Sequence, residues 1–394
     1  MSKLSLFLIT RHYPLGRGES FLETELEMLA KRFDVTVISL DGKASQTREL
    51  PPMVSLVRYV KPPLFLLFFK ALTGIFSPVY KEEKKKSKKK WKTLWALAKA
   101  EAFKSFFEKE LELPYGGFLA YTYWLCYETM GLCFLKEKLP NMKLITRMHR
   151  GDFYESKENP YQPFKAVTAA HVDQAFVVSE EGKRYFTGHY EYMASNVQVS
   201  RLGVVRQTKK EPILDNSVYV VSCSNLIAVK QVHLIIDALA GLRINVNWCH
   251  FGDGSLRPEL EKYAGIKLRH LPNISYEFKG AVSHAELMKY YKNNRVDLLL
   301  NASLIEGVPV SVMEAFSFGI PVVAPDVGGM REIVDETCGF LLPSKSRPKL
   351  IANAILEVFK GDRVALSQGA YAKWEADFNA ETNYGRFMED IQNM

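Results

Sequence analysis

The sequence has few of the features that mark membrane-spanning, disulfide-stabilised or metal-dependent proteins. It contains no run of eighteen or more apolar residues, so no membrane-spanning helix is predicted. Its five cysteines include no CxxC pair, and free thiols in a reducing compartment are expected. No HExxH motif, P-loop or G-x-S-x-G elbow occurs, which argues against a zinc protease, a P-loop nucleotidase and an α/β-hydrolase. We predict no metal site.

Composition and pattern predict a two-domain α/β protein. The chain has 394 residues, 47% of them hydrophobic and 24% charged, as in globular proteins. Apolar strand-like runs alternate with helical runs in both halves, which predicts parallel sheets with crossover helices. We therefore expect two doubly wound, Rossmann-like domains facing each other across a cleft, with ligands at the carboxyl ends of the strands. The strand-like runs are LSLFLIT, VTVISL, GFLAYTY, KLITRM and QAFVVS in the first half, and SVYVVSCS, INVNWCHFG, ISYEF, VDLLL and IPVVA in the second.

The ends of the predicted domains follow from a polar linker and a C-terminal aromatic stripe. The polar stretch around 206–217 separates the two halves, so we predict an N-terminal domain over 1–205 and a C-terminal domain over 206–369. Residues 370–394 are amphipathic and are predicted to form a helix that returns to the N-terminal domain. The first apolar run is too short for a signal peptide and is expected to be a buried strand. A cytoplasmic location is therefore expected.

The positive charge of the chain is concentrated in residues 61–110. This segment holds 13 lysines and 5 glutamates, a net charge of +8 that equals the formal net charge of the whole chain. Its lysine run lies between the apolar run LFLLFF and an aromatic helical stripe. This arrangement favours binding to the anionic inner face of the plasma membrane, where each basic residue contributes about 1 kcal/mol of attraction. An insertion that packs on the first domain with solvated lysines is one alternative. Nucleic-acid binding is another, but no recognition motif accompanies the lysines, so none is predicted.

Two glutamates, Glu306 and Glu314, lie eight residues apart in the otherwise apolar or small run EGVPVSVMEAFSFGIPVVAP. Carboxylates are costly to bury without partners. Pro309 is well placed as a first helical residue, and the free amides around Val308, Val310 and Ser311 would then form an anion site suited to a diphosphate. Glu314, further along the same helix, can accept two hydrogen bonds from a ribose diol. Spacing alone also allows an ordinary helix with one acid at its start and one on a solvated face.

This run resembles the donor-site signature of retaining GT-B glycosyltransferases of family 4. The similar pattern is E-G-x-P-x-x-x-x-E-A-x-S-x-G-x-P-V-V-A, followed by DVGGMREIVDETCGFLL. Further similar segments are SCSNLIAVKQVHLIIDAL, CHFGDGSLRPELE and FKGAVSHAELMKYY. In the first half, YPLGRGESFLETEL resembles the opening loop and helix, and ITRMHRGDFYE and FVVSEEGKRYF are similar to the branch that builds bacterial surface polysaccharides. The resemblance covers nearly the whole chain apart from about 45–115.

The resemblance implies a role for each matching residue of the donor site. Glu314 would hold the nucleotide ribose, Glu306 would contact the donor sugar, and Lys230 would neutralise the diphosphate. The family's common Arg five residues before that Lys is Asn225 here, which offers hydrogen bonds without charge. Arg17 is the alternative base, because Gly16 and Gly18 would let its loop approach the phosphates. The implied nucleotide-sugar-binding set is Lys230, Asn225, Glu314, Gly307, Val308, Pro309, Val310, Ser311, Gly18 and Arg17.

Four residues of the first half have implied roles and structural alternatives. His149 lies where the family places a histidine against the donor sugar, although a strand-end histidine is often only a packing residue. Asp152 and Arg147 would face the acceptor, unless Arg147 is the structural ion-pair partner of Asp152. Glu19 would orient an acceptor hydroxyl or simply begin its helix. The catalytic prediction is therefore Glu306 with His149.

The resemblance implies a retaining, metal-independent glycosyltransferase that uses a UDP- or GDP-sugar and no cofactor. The expected acceptor is a glycan or a polyprenyl-diphosphate-linked oligosaccharide, in exopolysaccharide, capsule or O-antigen synthesis. The expected location is peripheral, at the inner membrane face through residues 61–110. Two alternatives stay open: a GT-B sugar-nucleotide epimerase, and a non-enzymatic membrane or nucleic-acid binding module, which would leave the two-glutamate motif unexplained.

Overall fold

The computed structural model describes residues 3–16, 18–87, 89–155, 161–190 and 196–394. The chain divides into two compact units. The first comprises Met1–Arg201 together with Tyr384–Met394, and the second comprises Leu202–Asn383. The first boundary therefore lies four residues before the predicted one at 205. The chain returns to the first unit at Tyr384, whereas the returning helix was predicted to begin at 370. Trp374 belongs to the second unit, where its Nε1 donates to the Val204 carbonyl oxygen at 3.0 Å.

A seven-stranded, wholly parallel sheet forms the centre of the first unit, with strand order β3-β2-β1-β4-β5-β6-β7. The strand β4 is buried along its whole length, as expected for a parallel strand covered on both faces by helices. Its strands are β1 Leu4–Thr10, β2 Phe33–Ser39, β3 Ser55–Arg58, β4 Phe118–Thr122, β5 Met142–Met148, β6 Gln174–Val177 and β7 Val197–Val199. Its helices are α1 Leu22–Arg32, α2 Leu64–Gly74, α3 Pro78–Lys86, α4 Lys90–Glu110, α5 Tyr127–Cys133, α6 Arg150–Phe153, α7 Lys165–His171 and α8 Glu180–His189.

A six-stranded, wholly parallel sheet forms the centre of the second unit, with strand order β10-β9-β8-β11-β12-β13. Its helices bury apolar stripes against the sheet; α13, for example, buries Ile351, Ile355 and Val358. The strands are β8 Ser217–Cys223, β9 Asn245–Phe251, β10 Ile274–Gly280, β11 Leu298–Leu300, β12 Val322–Pro325 and β13 Gly339–Leu342. The helices are α9 Val232–Ala240, α10 Arg257–Leu268, α11 His284–Asn293, α12 Val310–Ser317, α13 Pro348–Lys360 and α14 Arg363–Lys373. The last helix, α15 Ala380–Gln392, begins in this unit and belongs to the first unit from Tyr384 onward.

In both sheets the order of the strands reverses beside the first strand of the unit. β1 pairs with β2 on one side and β4 on the other, and β8 pairs with β9 and β11. The crevice that forms at such a reversal is where doubly wound sheets bind ligands. The loops that follow β1, β4, β8 and β11 are therefore the places to look for a site in each unit.

The lysine-rich segment folds into α2, α3 and α4. One side of α4 packs into the first unit's core, where Phe107 meets Phe7 with ring centroids 5.5 Å apart. In contrast, α2 buries only Leu67 and Ala71 among its side chains. Within the described residues no single helix has the length and apolar character needed to cross a membrane. The pair α2 and α3, bent by 89°, meets those criteria of length and composition only when the two are taken together.

Candidate functional site

Lys230 and Glu306 form an ion pair at the strand reversal of the second sheet. Lys230 Nζ lies 2.6 Å from Glu306 Oε1, and Asn301 Nδ2 donates to the same oxygen at 3.0 Å. Lys230 ends a short turn after β8, and Glu306 lies in the loop after β11. Because β8 and β11 are neighbours, their loops meet, and the Leu304 N–H donates to the Val229 carbonyl oxygen at 2.8 Å. The carboxylate is largely buried, so its charge is balanced inside the site.

The start of α12 offers unpaired amides beside this ion pair. The helix begins at Val310, and Pro309 has the extended backbone of the residue that precedes a helix. The prediction that Pro309 is the first helical residue is therefore wrong by one position, because its ψ of 122° lies outside the helical region. The N–H groups of Val310 and Ser311 have no acceptor in the part of the chain that the structure describes. Gly307, Val308 and Ser311 are half-buried at this end, which makes it suited to an anion.

The glycine pair in DVGGMRE packs directly on this loop. The Gly329 N–H donates to the Gly307 carbonyl oxygen at 3.0 Å. A Cβ at Gly329 would lie 2.8 Å from that carbonyl oxygen and 2.9 Å from a methyl group of Val308, closer than real side chains approach. Glycine is therefore needed here because two backbone segments touch. The contact holds the start of α12 in place.

Glu314 lies in the second turn of α12 and faces α11. Its carboxylate is largely buried and lies 3.0 Å from Nε2 of His284, the first residue of α11. Burial and the Glu314 charge raise the pKa of the thiol of Cys223, the last residue of β8, to about 12. Asn225, in the loop after β8, is exposed. The sequence motifs did not single out His284 as a partner of Glu314, and no spacing rule links the two.

In the first unit, the loop after β1 is organised by Glu19 at the corresponding strand reversal. Its carboxylate accepts the N–H groups of His12 and Tyr13 at 2.7 Å each, and it also accepts Trp124 Nε1–H. Glu19 itself has a positive φ of 63° and precedes α1 by three residues. It therefore does not begin its helix as one interpretation expected; its side chain holds the loop. Gly18 lies in this loop and Arg17 lies outside the described residues.

His149 follows β5 inside a cage of aromatic rings. Its ring centroid lies 4.4 Å from that of Trp124, 5.1 Å from that of Tyr123 and 5.9 Å from that of Phe21. Burial, followed by the charges of Arg147 and Arg11, lowers the pKa of His149 well below its usual value, so the imidazole is neutral. Its Nε2 atom is shielded from solvent and has no hydrogen-bond partner among the described residues.

Asp152 joins three loops and is not the partner of Arg147. Its carboxylate accepts Arg11 Nη2 at 3.0 Å, the Leu125 N–H at 3.2 Å and the His149 N–H at 2.9 Å, and its side chain is fully buried. These three donors give the carboxylate a structural role at the junction of the loops, and its contact with an acceptor stays a prediction. Burial raises its pKa, while the Arg11 charge acts in the opposite direction.

Arg147 is a core residue. Its guanidinium lies 3.0 Å from Glu25 Oε1 and donates to the Tyr121 hydroxyl at 2.7 Å and to the Ser200 carbonyl oxygen at 2.9 Å. Both side chains of the ion pair are fully buried. The structure therefore corrects both predictions for Arg147, since it neither reaches the surface as an acceptor contact would require nor pairs with Asp152.

The sequence is similar to those of known glycosyltransferases. Residues 205–374 match the family model described as Glycosyl transferases group 1. Similar curated sequences are the amylovoran biosynthesis glycosyltransferase AmsK of Erwinia amylovora, 24% identical over 51% of this chain and 52% of that protein, and the putative colanic acid biosynthesis glycosyltransferase WcaL of Escherichia coli K12, 26% identical over 47% and 48%. The chain spans about half the length of these two curated relatives that it matches.

Solved structures share the fold along the whole chain. The apo lipopolysaccharide outer core galactosyltransferase WaaB is similar with a TM-score of 0.69 at 14% identity, over 99% of both chains. Anabaena HepE in complex with UDP-glucose is similar with a TM-score of 0.67 at 16% identity, over 99% of this chain and 100% of that one. The two parallel-sheet domains are therefore those of the GT-B fold, as the sequence predicts.

Proposed function

We propose that the protein is a glycosyltransferase that moves a sugar from a nucleotide-diphosphate sugar to a glycan acceptor. The observation that carries the proposal is the cluster at the strand reversal of the second sheet. There the Lys230–Glu306 ion pair lies beside the unpaired amides at the start of α12, with Glu314 in the next turn. The group 1 family match over 205–374 and the names of the similar curated proteins support it.

In the proposed donor site, each part of the nucleotide sugar contacts a different group of the protein. The diphosphate lies against the amides of Val310 and Ser311, where the helix dipole and Lys230 balance its charge. The ribose hydroxyls donate to Glu314, whose carboxylate is held by His284. Glu306 contacts the sugar near its anomeric carbon. UDP-glucose is the ligand of the similar HepE structure, and a UDP- or GDP-sugar is the donor we propose here.

The proposed reaction transfers the sugar with retention of configuration and without a metal. The acceptor hydroxyl oxygen forms a bond to the anomeric carbon, and the bond from that carbon to the diphosphate oxygen breaks. The nucleoside diphosphate leaves with the electron pair, and the acceptor proton passes to an oxygen of the leaving diphosphate. Lys230 and the α12 amides stabilise the negative charge that develops on that diphosphate. Glu306 stabilises the oxocarbenium-like sugar electrostatically.

We further propose that the enzyme works on bacterial surface polysaccharide at the inner membrane face. Exopolysaccharide, capsule and O-antigen are the candidate products, because the similar proteins are named for amylovoran, colanic acid and lipopolysaccharide synthesis. The contact with the membrane is assigned to α2 and α3. Large apolar side chains of α2 and the turn after it are exposed, including Leu64 at 75%, Phe65 at 61% and Phe76 at 76%, and lysines of α3 follow directly.

A calorimetric screen of the full chain against UDP, GDP, ADP, CMP and their sugars tests the donor assignment. One nucleoside diphosphate is expected to bind, and Glu314→Ala is expected to weaken it at least tenfold, or by about 1.4 kcal/mol. An exposed acid of α10, Glu259, supplies the matched control Glu259→Ala, which is expected to change nothing. Analysis of the product with the chosen sugar donor then separates transfer from epimerisation. Binding that is insensitive to Glu314→Ala would contradict the site.

A further inference from the structure

A cavity in the first unit is lined by cationic side chains. It has a volume of about 200 Å³ and lies between α4, the start of α5 and the residues that precede α7. Its cations are Arg11, Lys92, Lys99 and Lys165, and no carboxylate is present among its described lining residues. On α4 the lining residues Lys92, Trp95, Ala96 and Lys99 follow the spacing i, i+3, i+4, i+7, so they share one face of the helix.

The lysines of this cavity lack carboxylate partners in the described part of the chain. Lys165 is buried and donates to the Leu125 carbonyl oxygen, and Lys99 contacts the ring of Tyr127 with its Nζ 4.8 Å from the centroid. Of the four cations, Arg11 alone is paired with a carboxylate, that of Asp152. Burial lowers the pKa of Lys165, and burial together with the neighbouring charge of Lys61 lowers the pKa of Lys99. The Asp152 and Glu128 charges act against burial on Lys165, and the Glu128 charge does so on Lys99. Neither carboxylate forms an ion pair with these lysines in the described part of the chain, so an anion in the cavity would stabilise the charged lysines further.

The far wall of the cavity is held in place by α3. Glu83, a buried residue of that helix, accepts the Phe164 N–H at 2.6 Å and also accepts the Tyr161 hydroxyl. Phe164 has a positive φ of 66°, an uncommon backbone conformation for a bulky residue. A buried carboxylate of the lysine-rich helix α3 therefore fixes the conformation of this wall. The cavity is a built feature of the unit rather than a gap between loosely packed loops.

A row of aromatic rings connects this cavity to the exposed apolar surface of α2. Phe68 on α2 lies 6.3 Å from Trp91 between ring centroids, and Trp91 lies 5.8 Å from Trp95. Phe68 and Trp91 are 43% and 52% exposed, whereas Trp95 lines the cavity. An apolar chain that lies along α2 could thus reach the cavity without leaving apolar contact.

We propose that this cavity binds the phosphate or diphosphate head of a lipid-linked acceptor, whose hydrocarbon chain lies along Phe68, Trp91 and the exposed face of α2. The inference rests on the proposed function, because it names the acceptor class of the glycosyl transfer. A phosphorylated head fits three lysines that form no ion pair with a carboxylate of the described residues, and an isoprenoid or acyl chain fits the aromatic row. A soluble phosphate ester would fit the cavity alone and leave the row uncovered.

Calorimetry with the full chain and three probes tests this assignment. The probes are farnesyl diphosphate below its critical micelle concentration, inorganic diphosphate and farnesol. Farnesyl diphosphate is expected to bind at least tenfold more tightly than either of the others. The variant Lys92→Met/Lys99→Met, which keeps most of the apolar stems, is expected to weaken it at least tenfold. The charge-matched control Lys109→Met/Lys143→Met removes two exposed lysines of the same unit and is expected to change affinity less than twofold.

Two further measurements keep the result interpretable. Circular dichroism and the affinity for UDP or GDP show whether the Lys92/Lys99 variant is folded. Lys230→Met tests whether farnesyl diphosphate binds at the proposed donor site instead of the cavity. If Lys230→Met abolished the binding of farnesyl diphosphate, the inference would be overturned. Equal binding of farnesyl diphosphate and inorganic diphosphate would overturn the lipid assignment.

Failure of this inference is distinguishable from failure of the proposed function. Nucleotide binding that depends on Glu314, together with farnesyl diphosphate binding that is absent or insensitive to Lys92→Met/Lys99→Met, would overturn only the cavity assignment. Loss of all nucleotide binding with intact, lysine-dependent binding of farnesyl diphosphate would overturn only the donor site.

Discussion

Lys230 and Glu306 are in direct contact, with 2.6 Å between Nζ and Oε1. The two residues were assigned to different parts of a donor, the diphosphate and the sugar, so the ion pair has to loosen for both to act. Asn301 also donates to Glu306 Oε1. Glu306 can therefore keep a hydrogen bond when Lys230 turns to a phosphate, and the pair is suited to exchange partners when an anion arrives.

This contact predicts opposite behaviour for two substitutions. Lys230→Met is expected to weaken binding of the nucleoside diphosphate at least tenfold, because the diphosphate loses its cation. Glu306→Gln is expected to leave that affinity within twofold, since it frees the ammonium, and to lower kcat about 10²–10³-fold, as expected for loss of one electrostatic group at a transition state. Calorimetry and initial rates with the identified donor measure the two effects.

The control for this pair is Lys262→Met, which removes an exposed lysine of α10 and is expected to change neither affinity nor rate. If Glu306→Gln weakened nucleotide binding as much as Lys230→Met, the two residues would act as one structural unit. That result would contradict the proposal that Glu306 contacts the sugar and not the diphosphate.

Local pattern predicts the strands well because each buried parallel strand is a continuous apolar run. Every strand-like run in the sequence overlaps an observed strand, whereas the short strands β3, β7 and β13 were missed. These three have three or four residues, and all three lie at sheet edges, where few of their side chains are buried. The predicted boundary at 205 rests on a different signal, the polar composition of the linker, and the chain divides at Arg201.

The partners within the sites could not be predicted in the same way. Glu25 meets Arg147, and Arg11 meets Asp152, although each pair is more than a hundred residues apart in sequence. These contacts arise because β1, β4 and β5 are neighbours, and this adjacency is a property of the topology. The resemblance supplied the positions of the donor-site residues, but it could not say that His284 would hold Glu314.

The buried ion pair in the first unit predicts a large loss of stability when it is broken. Arg147→Met leaves the Glu25 carboxylate buried without its counter-charge and is expected to lower the free energy of unfolding by about 3–5 kcal/mol. Replacing both residues, as Arg147→Met/Glu25→Leu, is expected to recover most of that loss, because no charge is then left unpaired. Urea unfolding followed by circular dichroism measures both.

The exposed pair of Arg206 and Glu375 is the control for this measurement. Arg206→Met is expected to have little effect on unfolding, since solvent screens such pairs. A double variant that is no more stable than Arg147→Met alone would show that the hydrogen bonds of the guanidinium to Tyr121 and Ser200, rather than its charge, stabilise this part of the core.

The second unit is expected to lose stability in mild acid through His250. This residue is fully buried, with Nδ1 2.8 Å from the Ser222 hydroxyl and Nε2 3.1 Å from the Ser224 carbonyl oxygen. Burial lowers its pKa to about 4, against about 6.5 in an unfolded chain. Below pH 6.5 the unfolded state therefore binds a proton that the folded state does not, and stability falls by about 1.4 kcal/mol per pH unit until the folded pKa is reached.

Urea unfolding at pH 7.5 and 5.5 tests this dependence. The wild type is expected to lose more stability between these pH values than His250→Gln, by about 1.4 kcal/mol. Equal losses in the two proteins would mean that His250 is protonated in the folded state with no penalty.

The exposed surface of α2 and α3 predicts binding to anionic vesicles that depends on both charge and apolar area. Lys84→Ala/Lys85→Ala/Lys86→Ala is expected to weaken the free energy of binding to phosphatidylglycerol-containing vesicles by about 3 kcal/mol, at about 1 kcal/mol per lysine. Co-sedimentation with the vesicles measures the binding. Phe65→Ser/Phe69→Ser is expected to weaken it at every salt concentration, because it removes the apolar contact. The lysine variant should differ most from wild type at low salt, where charge is least screened.

The matched control for this surface is Lys31→Ala/Lys143→Ala/Lys262→Ala, which removes the same charge from exposed positions on α1, β5 and α10. It is expected to bind vesicles as the wild type does, since binding by a localised patch depends on where the charge lies. If the control and the α3 variant lost binding equally, the net charge of the chain would explain the attraction, and α2 and α3 would have no special role. If neither variant of the patch changed binding to vesicles, the apolar side chains of α2 would have to be covered by a protein partner instead of lipid.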